Sequence, residues 1–173
     1  NAVKAAQEAT SEIPVVGTSV TDYVSSGLVK SNDKPGANVT GASDYNPVSA
    51  QVEVIKAFCP DAQTIGVVYA SAEDNPKVQA DEAKTVLEQN GYTVKTYAVA
   101  DTNEITTVVS QACTAVDAFY EPTDNLIAAN VPTMANVTNA HKKPVFVCEE
   151  GMCKAGFLAG YALNYYDLGY EAG

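Results

Sequence analysis

The sequence contains no arginine and no tryptophan, and it has a single histidine. Arginine is the usual bidentate partner of phosphates and carboxylates, so any anionic ligand must be held by other donors. The ten lysines stand against 21 carboxylates, and the formal net charge of −11 excludes the basic face that nucleic-acid binding requires. The lone His141 excludes two-histidine metal motifs and leaves little room for a Ser-His-Asp triad.

Several segment types are absent as well. The sequence shows no signal peptide, no lipid-anchor cysteine and no apolar run of membrane-spanning length. It also lacks the Gly-x-Ser-x-Gly elbow, the phosphate loop and the dinucleotide glycine motif, which argues against the commoner enzyme classes and predicts no cofactor. Residues 1–10 have the pattern of a helix already under way, and residues 165–173 that of a helix just begun. We therefore expect a part of a longer protein, for which a missing leader says little about compartment.

Four runs of apolar and β-branched residues occur in the middle of the chain, as is typical of buried strands. Their first residues are separated by 28, 24 and 28 positions, about one strand–helix unit each. Because the second run is the most polar, it is expected nearest a sheet edge, and the predicted strand order is 2-1-3-4. The runs cover residues 64–69, 92–97, 116–120 and 144–147.

Helical patterns precede the first run and fill the gaps between the others. Pro132 lies inside the last pattern, where it should kink the helix or start a second segment. Strands that alternate with helices form a parallel sheet with right-handed crossovers. The sequence therefore predicts a doubly wound α/β unit from about residue 47 to residue 148. The helical patterns cover residues 51–58, 77–90, 103–112 and 126–140.

The first 45 residues follow a different plan. A short buried strand is predicted at 13–16, a short helix or turn at 23–30, and another brief strand at 39–43. These elements cannot form a core by themselves. They need a sheet that this chain does not contain.

Ligands of an open parallel sheet bind beyond the carboxyl ends of its strands, and polar side chains collect there in this sequence. Ser, Thr, Asp and Asn are also the preferred helix caps, so capping alone is the plain alternative at each of these residues. A cap needs only one polar residue, however, and residues 123–125 offer three. The polar segments are 18–22, 71–76, 121–125 and 148–151.

This mixture of groups suits a zwitterionic ligand. An α-carboxylate can be held by backbone N–H groups and by Thr, Ser or Asn donors, while an α-ammonium needs acidic partners, for which Asp124 and Glu149 are the candidates. The same two carboxylates could serve a hydrolase as acid and base, and Asp, Asn and Thr also bind sugar hydroxyls. Tyr23, Tyr69 and Tyr120 lie near these strand ends, either as walls for an aromatic ligand or as core and rim residues.

The four cysteines leave two interpretations open. Cys59 and Cys113 end the helices before the first and third strands, so a disulfide would be feasible if those strands are neighbours. Cys148 and Cys153 are close enough in sequence to pair around a turn. Alternatively, all four are small buried hydrophobic residues. A metal site at Cys148 and Cys153 is disfavoured, because the sequence offers no second pair of ligands for it.

Two strings are specific in combination, Lys-Pro-Gly-Ala-Asn-Val-Thr-Gly at 34–41 and Pro-Thr-Asp-Asn at 122–125. Together with the segments around them, they give an order that resembles ABC-transporter substrate-binding proteins of the tryptophan or aromatic amino-acid type. The similarity covers nearly the whole chain. The other matching segments are 13–16, 18–22, 27–30, 65–69, 73–75, 116–120, 144–146 and 164–169.

The resemblance implies a two-lobed α/β fold of the periplasmic-binding-protein type I, with a small ligand bound between the lobes and the first lobe incomplete here. It implies a non-enzymatic, extracytoplasmic protein, periplasmic or anchored to the cell surface by lipid, that delivers an amino acid to an ABC permease. A sugar-binding protein or a sensor of the same fold is the alternative. The lobes are expected to comprise residues 1–45 with 149–162, and residues 46–148 with 163–173.

The resemblance also assigns ligand-binding roles to particular residues. Tyr23 departs from the family, in which proline usually follows the Thr-Asp pair, and Cys148 and Cys153 are unusual for it. The residues assigned to ligand binding are Thr21, Asp22, Asn75, Thr123, Asp124, Asn125 and Glu149.

Overall fold

The computed structural model describes residues 2–72 and 74–173, without the side chains of residues 74 and 75. The chain forms two compact units, each with its own internal packing. The terminal unit comprises the described residues up to Asn46 together with Leu163–Gly173, and the central unit comprises Pro47–Ala162. In chain order the elements are α1 (Ala2–Ala9), β1 (Val15–Val20), β2 (Val39–Ser43), α2 (Val48–Phe58), β3 (Thr64–Ala70), α3 (Asp74–Gln89), β4 (Thr93–Val99), α4 (Thr102–Cys113), β5 (Ala118–Glu121), α5 (Asn125–Ala129), α6 (Val131–Ala140), β6 (Val145–Val147), α7 (Glu150–Ala155) and α8 (Tyr165–Ala172).

The central unit is built on a four-stranded sheet in the order β4-β3-β5-β6. All three strand pairs are parallel, with Val67 of β3 opposite Thr96 of β4 and Tyr120 of β5. The predicted order 2-1-3-4 and the parallel pairing are therefore confirmed. β4 lies at an edge and has only two buried residues, Val94 and Val99, whereas every residue of β5 and β6 is buried. The polarity of the second run thus identified the edge strand correctly.

Helices cover both faces of this sheet, as a doubly wound fold requires. Successive residues of β5 point to opposite faces. Phe119 packs in a core cluster with Ile105 of α4 and Met134 of α6, and Tyr120 packs in a second cluster with Ile55 of α2. Burial of one such large apolar side chain contributes about 1.5–3 kcal/mol.

Pro132 divides the last helical pattern into two helices, which confirms the second of the two predicted outcomes, the start of a new segment. α5 ends at Ala129, and Pro132 lies in the first turn of α6. Proline fits the first turn of a helix because the backbone N–H it lacks would have no partner there.

The terminal unit contains a two-stranded parallel sheet, in which Val15 of β1 pairs with Val39 of β2. The predicted strand at 13–16 begins later and runs to Val20, and the prediction that it is buried is wrong. Ile13 is 66% exposed and Val16 57% exposed. Val20, Tyr23, Leu28 and Val39 nevertheless form a small buried cluster, so the expectation that these elements form no core by themselves is also wrong. The segment at 23–30 forms turns rather than a helix.

Residues 149–162 belong to the central unit, which corrects the expected lobe assignment. After α7 the chain runs alongside β6, where Leu158 N–H donates to the Val145 carbonyl at 3.0 Å and Val147 N–H donates to the Ala159 carbonyl at 3.0 Å. A Cβ atom at Gly160 would collide with the Val147 carbonyl oxygen, so this approach requires glycine. Backbone pairing with the edge strand holds the segment in the central unit.

Residues 163–173 belong to the terminal unit, which is the second correction. α8 packs on β1 and β2. The hydroxyl of Tyr165 donates to Asp44 Oδ2 at 3.3 Å, and Asp44 is only 4% exposed. In the described part of the chain, no helix has the length and apolar character needed to cross a membrane.

All four cysteines carry free thiols, so neither of the two candidate disulfides is formed. The alternative interpretation holds for Cys113 and Cys148, which are buried, whereas Cys59 and Cys153 are only half-buried. Burial raises the pKa of the Cys113 thiol, which keeps it protonated and unreactive at neutral pH.

Candidate functional site

The segment of residues 122–125, here called the Thr123 loop, follows β5 at the carboxyl edge of the central sheet. The amide of Thr123 donates to Gln79 Oε1 of α3 at 3.1 Å. The hydroxyl of Thr123 lies 3.3 Å from Cys148 Sγ, directly after β6. The thiol of Cys148 in turn donates to the backbone carbonyl of Glu121 at 3.7 Å. Thr123 is therefore fixed from a helix on one side and a strand end on the other.

Asp124 caps α5 and also binds the end of β3. Its Oδ1 accepts from the amide of Ile127 at 3.0 Å, and its Oδ2 accepts from the amide of Ala70 at 2.6 Å. The side chain is 1% exposed. Aspartate at this position satisfies one of the first helical N–H groups, which have no partner within the helix. The capping interpretation thus describes what Asp124 does within the chain, and both of its oxygens accept from backbone donors.

Glu149 plays a similar part at the end of β6. It is half-buried and is the N-cap of α7, where its Oε1 accepts from the amide of Gly151 at 2.9 Å. A Cβ atom at Gly151 would collide with that oxygen, so glycine permits the cap. Glu149 follows Cys148 directly, which brings it to the same edge of the sheet as the Thr123 loop.

Asn125 is the first residue of α5 and is exposed at this edge. Asn75 belongs to α3, which begins one residue earlier, at Asp74. Asn75 therefore lies within the first turn of α3. The side chain of Asn75 lies outside the described residues.

Thr21 and Asp22 lie in the terminal unit, directly after β1. The carbonyl of Thr21 accepts from the Ser43 hydroxyl at 2.7 Å. Asp22 is exposed, and its Oδ1 accepts from the amides of Val24 at 2.9 Å and Ser25 at 3.0 Å. The hydrogen bond from the Ser25 amide lowers the pKa of Asp22. Asp22 thus caps a turn in the described structure.

The tyrosines predicted near the ligand differ in placement. Tyr23 is 5% exposed and belongs to the core of the terminal unit, with its hydroxyl donating to the Ala42 carbonyl at 3.3 Å. Tyr120 is 1% exposed and belongs to the core of the central unit. Tyr69 is half-buried and packs at the margin of the same cluster. Tyr23 and Tyr120 are therefore core residues, as one of the two interpretations of the sequence holds.

Glu121 lies in the polar segment 121–125, but its sequence position did not assign it a role. It ends β5, is 0% exposed, and neither carboxyl oxygen has a hydrogen-bond partner in the described structure. Burial, followed by the nearby Asp124 carboxylate, raises its pKa well above the usual value. A glutamate that ends a run of otherwise apolar strand residues was the signal available in the sequence.

The central unit therefore brings Thr123, Asp124, Asn125 and Glu149 to one sheet edge. The described residues contain no group of three or more histidine, cysteine or acidic side chains that could hold a metal ion. A pocket of about 340 Å³ lies near the start of β6, lined by residues such as Lys142 and Lys143, and it includes none of the predicted ligand residues.

The sequence has recognisable relatives. The family described as ABC transporter substrate binding protein matches residues 1–173. A tyrosine-binding protein of Clostridioides difficile is 40% identical over 170 residues, which cover 98% of this chain and 49% of that protein. The chain thus spans about half the length of this curated relative.

Solved structures agree in fold and sequence. An ABC domain from Streptococcus pneumonia in complex with L-Trp superposes with a TM-score of 0.92 at 42% identity, over 99% of this chain and 58% of that one. The ligand-free, open structure of a substrate-binding protein with adhesive properties from Clostridium difficile gives 0.80 at 40% identity, over 98% and 58%. A conserved domain protein from Vibrio cholerae gives 0.91 at 32% identity, over 98% and 57%. The chain belongs to the family of ABC transporter substrate-binding proteins.

Proposed function

We propose that the protein is a non-enzymatic solute-binding protein that captures an aromatic amino acid for an ABC importer. Two relatives support this ligand class, since one is named for tyrosine binding and another was solved with L-Trp. Both ligands combine a zwitterionic backbone with an aromatic ring. An ABC permease as partner, an extracytoplasmic location and a lipid anchor belong to the same proposal and rest on the family.

The observation that carries the proposal is the fixed Thr123 loop. Its amide, its hydroxyl and the Asp124 carboxylate are held by α3, β6, β3 and α5. A loop that is ordered before the ligand arrives does not lose further conformational entropy on binding, which favours affinity. The chain has no arginine, the usual bidentate partner of a carboxylate, so ordered hydroxyl and amide donors are well suited to hold one at this sheet edge.

The geometry divides the predicted residues by role. We propose that the Thr123 hydroxyl and the exposed Asn125 amide contact the ligand carboxylate, and that Glu149 binds the ammonium. Asp124 is proposed as the residue that positions the loop, because its two oxygens already accept from Ala70 and Ile127. The resemblance assigns Thr21, Asp22 and Asn75 to the same ligand, and for these residues that assignment remains a prediction.

The hydrolase alternative is less well supported by this geometry. A general base must accept a proton from its substrate or from water within hydrogen-bond reach. Asp124 is buried, and both of its oxygens face backbone N–H groups. That arrangement serves a helix cap better than an acid–base pair.

Binding of amino acids to the full-length protein tests the proposal. Calorimetry and thermal shift should be measured for tryptophan, tyrosine, phenylalanine, leucine and the des-amino analogues of the aromatic three. A ligand at 100 times its dissociation constant adds about 2.7 kcal/mol to the free energy of unfolding, which a thermal shift detects. Equal binding of the des-amino compounds would refute the zwitterion site, and equal binding of leucine would refute the aromatic preference. Covalent conversion of any ligand, seen by mass spectrometry, would refute the non-enzymatic role.

A further inference from the structure

Glu121 is a fully buried carboxyl group that nothing in the proposed function uses. It is 0% exposed, and neither of its carboxyl oxygens has a partner among the described residues. An ionised carboxylate in such a place would lose its hydration without compensation, so a buried acid of this kind keeps its proton instead.

The position of Glu121 links it to the Thr123 loop. Because side chains alternate along a strand, Glu121 lies on the same face of β5 as Phe119. Phe119 shares its core cluster with Ile127 of α5, so this is the face that α5 covers. Glu121 therefore lies on the face of the sheet beneath α5, the helix that Asp124 caps.

The groups around Glu121 favour a neutral carboxyl group there and a charged carboxylate at the neighbouring Asp124. Asp124, at the start of α5, interacts with it electrostatically, and so does the Tyr120 phenol on β5 itself. From β3 the backbone amide of Val68 lies close enough to favour the charged form, although it makes no hydrogen bond of ordinary geometry to either carboxyl oxygen, and from the end of β6 the Cys148 thiol donates to the backbone carbonyl of Glu121. A second negative charge here would repel the Asp124 carboxylate.

We propose that Glu121 is a positioning residue that, as a neutral carboxyl group, keeps the base of the Thr123 loop closed so that Asp124 can hold the amides of Ala70 and Ile127. Ionisation of Glu121 at alkaline pH opens this base, admits water and lowers ligand affinity. The consequence for the ligand rests on the proposed function of the loop. The consequence for the two amides does not.

The test compares the wild-type protein with Glu121→Gln, which has the shape of the neutral acid and cannot ionise. Hydrogen exchange of the Ala70 and Ile127 amides is measured from pH 6 to pH 9.5. Relative to Glu121→Gln, the wild-type protein should lose at least tenfold protection of both amides as the pH rises. Glu88→Gln is the matched control, since it removes one exposed carboxylate from α3 and should follow the wild-type profile.

Affinity for L-tryptophan and L-tyrosine is measured over the same pH range. Ionisation of the ligand's own amine affects all variants equally, so the ratio of dissociation constants between wild type and Glu121→Gln isolates Glu121. That ratio should rise at least fivefold from pH 7 to pH 9.5. Glu121→Ala should bind both amino acids weakly at every pH, because the truncation leaves a cavity beneath α5 whatever the protonation state of neighbouring groups.

Identical exchange profiles for the wild-type protein and Glu121→Gln would overturn the inference, whatever the ligand data show. Identical affinity profiles with different exchange profiles would overturn its consequence for binding. If none of the variants binds an amino acid, the proposed function fails, and the exchange of Ala70 and Ile127 still decides the role of Glu121.

Discussion

Replacement of Asp124 by asparagine separates a structural role from a ligand-binding role. The side chain is 1% exposed, and its two oxygens accept from Ile127 at 3.0 Å and from Ala70 at 2.6 Å. Asparagine has one oxygen and one NH₂ group. Whichever way the amide is turned, one buried backbone N–H then faces another donor.

The expected loss follows from that mismatch. A hydrogen bond to a charged acceptor contributes about 1.5–3 kcal/mol, and a buried donor without a partner costs about 1–3 kcal/mol. Some relaxation of the loop offsets part of the sum, so Asp124→Asn should lower the free energy of unfolding by about 2–4 kcal/mol. A domain with an ordinary stability of about 5–15 kcal/mol would still fold.

Asp101→Asn is the matched control. Asp101 is the exposed N-cap of α4 and accepts one hydrogen bond, from the amide of Asn103 at 2.7 Å. Asparagine caps helices about as well as aspartate, so this change should alter stability by less than about 0.5 kcal/mol. Both substitutions remove one negative charge, and any effect of net charge therefore cancels in their difference.

Urea unfolding without ligand, followed by circular dichroism and tyrosine fluorescence, measures both variants. Affinities for tryptophan and its des-amino analogue are then compared. If Asp124 acts only as a helix cap, Asp124→Asn should lower the affinities for tryptophan and for its des-amino analogue to the same degree. If Asp124→Asn is as stable as Asp101→Asn but loses tryptophan binding at least tenfold more than des-amino binding, Asp124 contacts the ammonium directly and the capping argument is wrong.

Three further predictions concern side chains that bind backbone groups. Gln79→Ala removes the acceptor of the Thr123 amide and should weaken amino-acid affinity about threefold to tenfold; unchanged calorimetry would contradict this. Gln51→Ala removes the two hydrogen bonds, of 2.6 and 3.0 Å, that the buried Gln51 amide makes with the backbone of Tyr161, and should lower the free energy of unfolding in urea by about 1–3 kcal/mol. Hydrogen bonds from the backbone amides of Gln63 and then Thr64 lower the pKa of Asp117. The contribution of Asp117 to the free energy of unfolding is therefore fully present above pH ~4 and is lost as the pH falls through the lowered pKa. Asp117→Asn should reduce this loss of stability in acid, measured by urea unfolding as a function of pH.

The sequence was informative wherever side-chain patterns determine structure. β-branched runs and helical spacings located the strands and helices of the central sheet, and the polarity of β4 identified its edge position. Residues 158–161 carry no such pattern. Their place beside β6 depends on backbone hydrogen bonds and on the amide of Gln51, which binds both peptide groups of Tyr161. Backbone pairing of this kind leaves no periodic signal, and for that reason the assignment of residues 149–162 was wrong.

The candidate site was predictable in place but not in role. The sheet edge that carries Thr123, Asp124, Asn125 and Glu149 follows from the order of strands and loops. The same residue types cap helices and bind ligands, so composition alone could not show that Asp124 is occupied by Ala70 and Ile127. Geometry was needed for that distinction.

Glu121 shows how the two kinds of information combine. Its sequence position, at the end of a buried strand, conflicts with its charge, and such local conflicts are expected near functional sites. In the role proposed for Glu121, protonation removes the conflict, since burial and Asp124 raise the pKa of Glu121 while Asp124 accepts from two backbone amides. A chain without arginine lacks the usual bidentate partner of a carboxylate, and the hydroxyl and amide donors at this sheet edge bind best when they are fixed in advance. The neutral acid beneath the Thr123 loop and the charged cap above it are the means by which this chain fixes them.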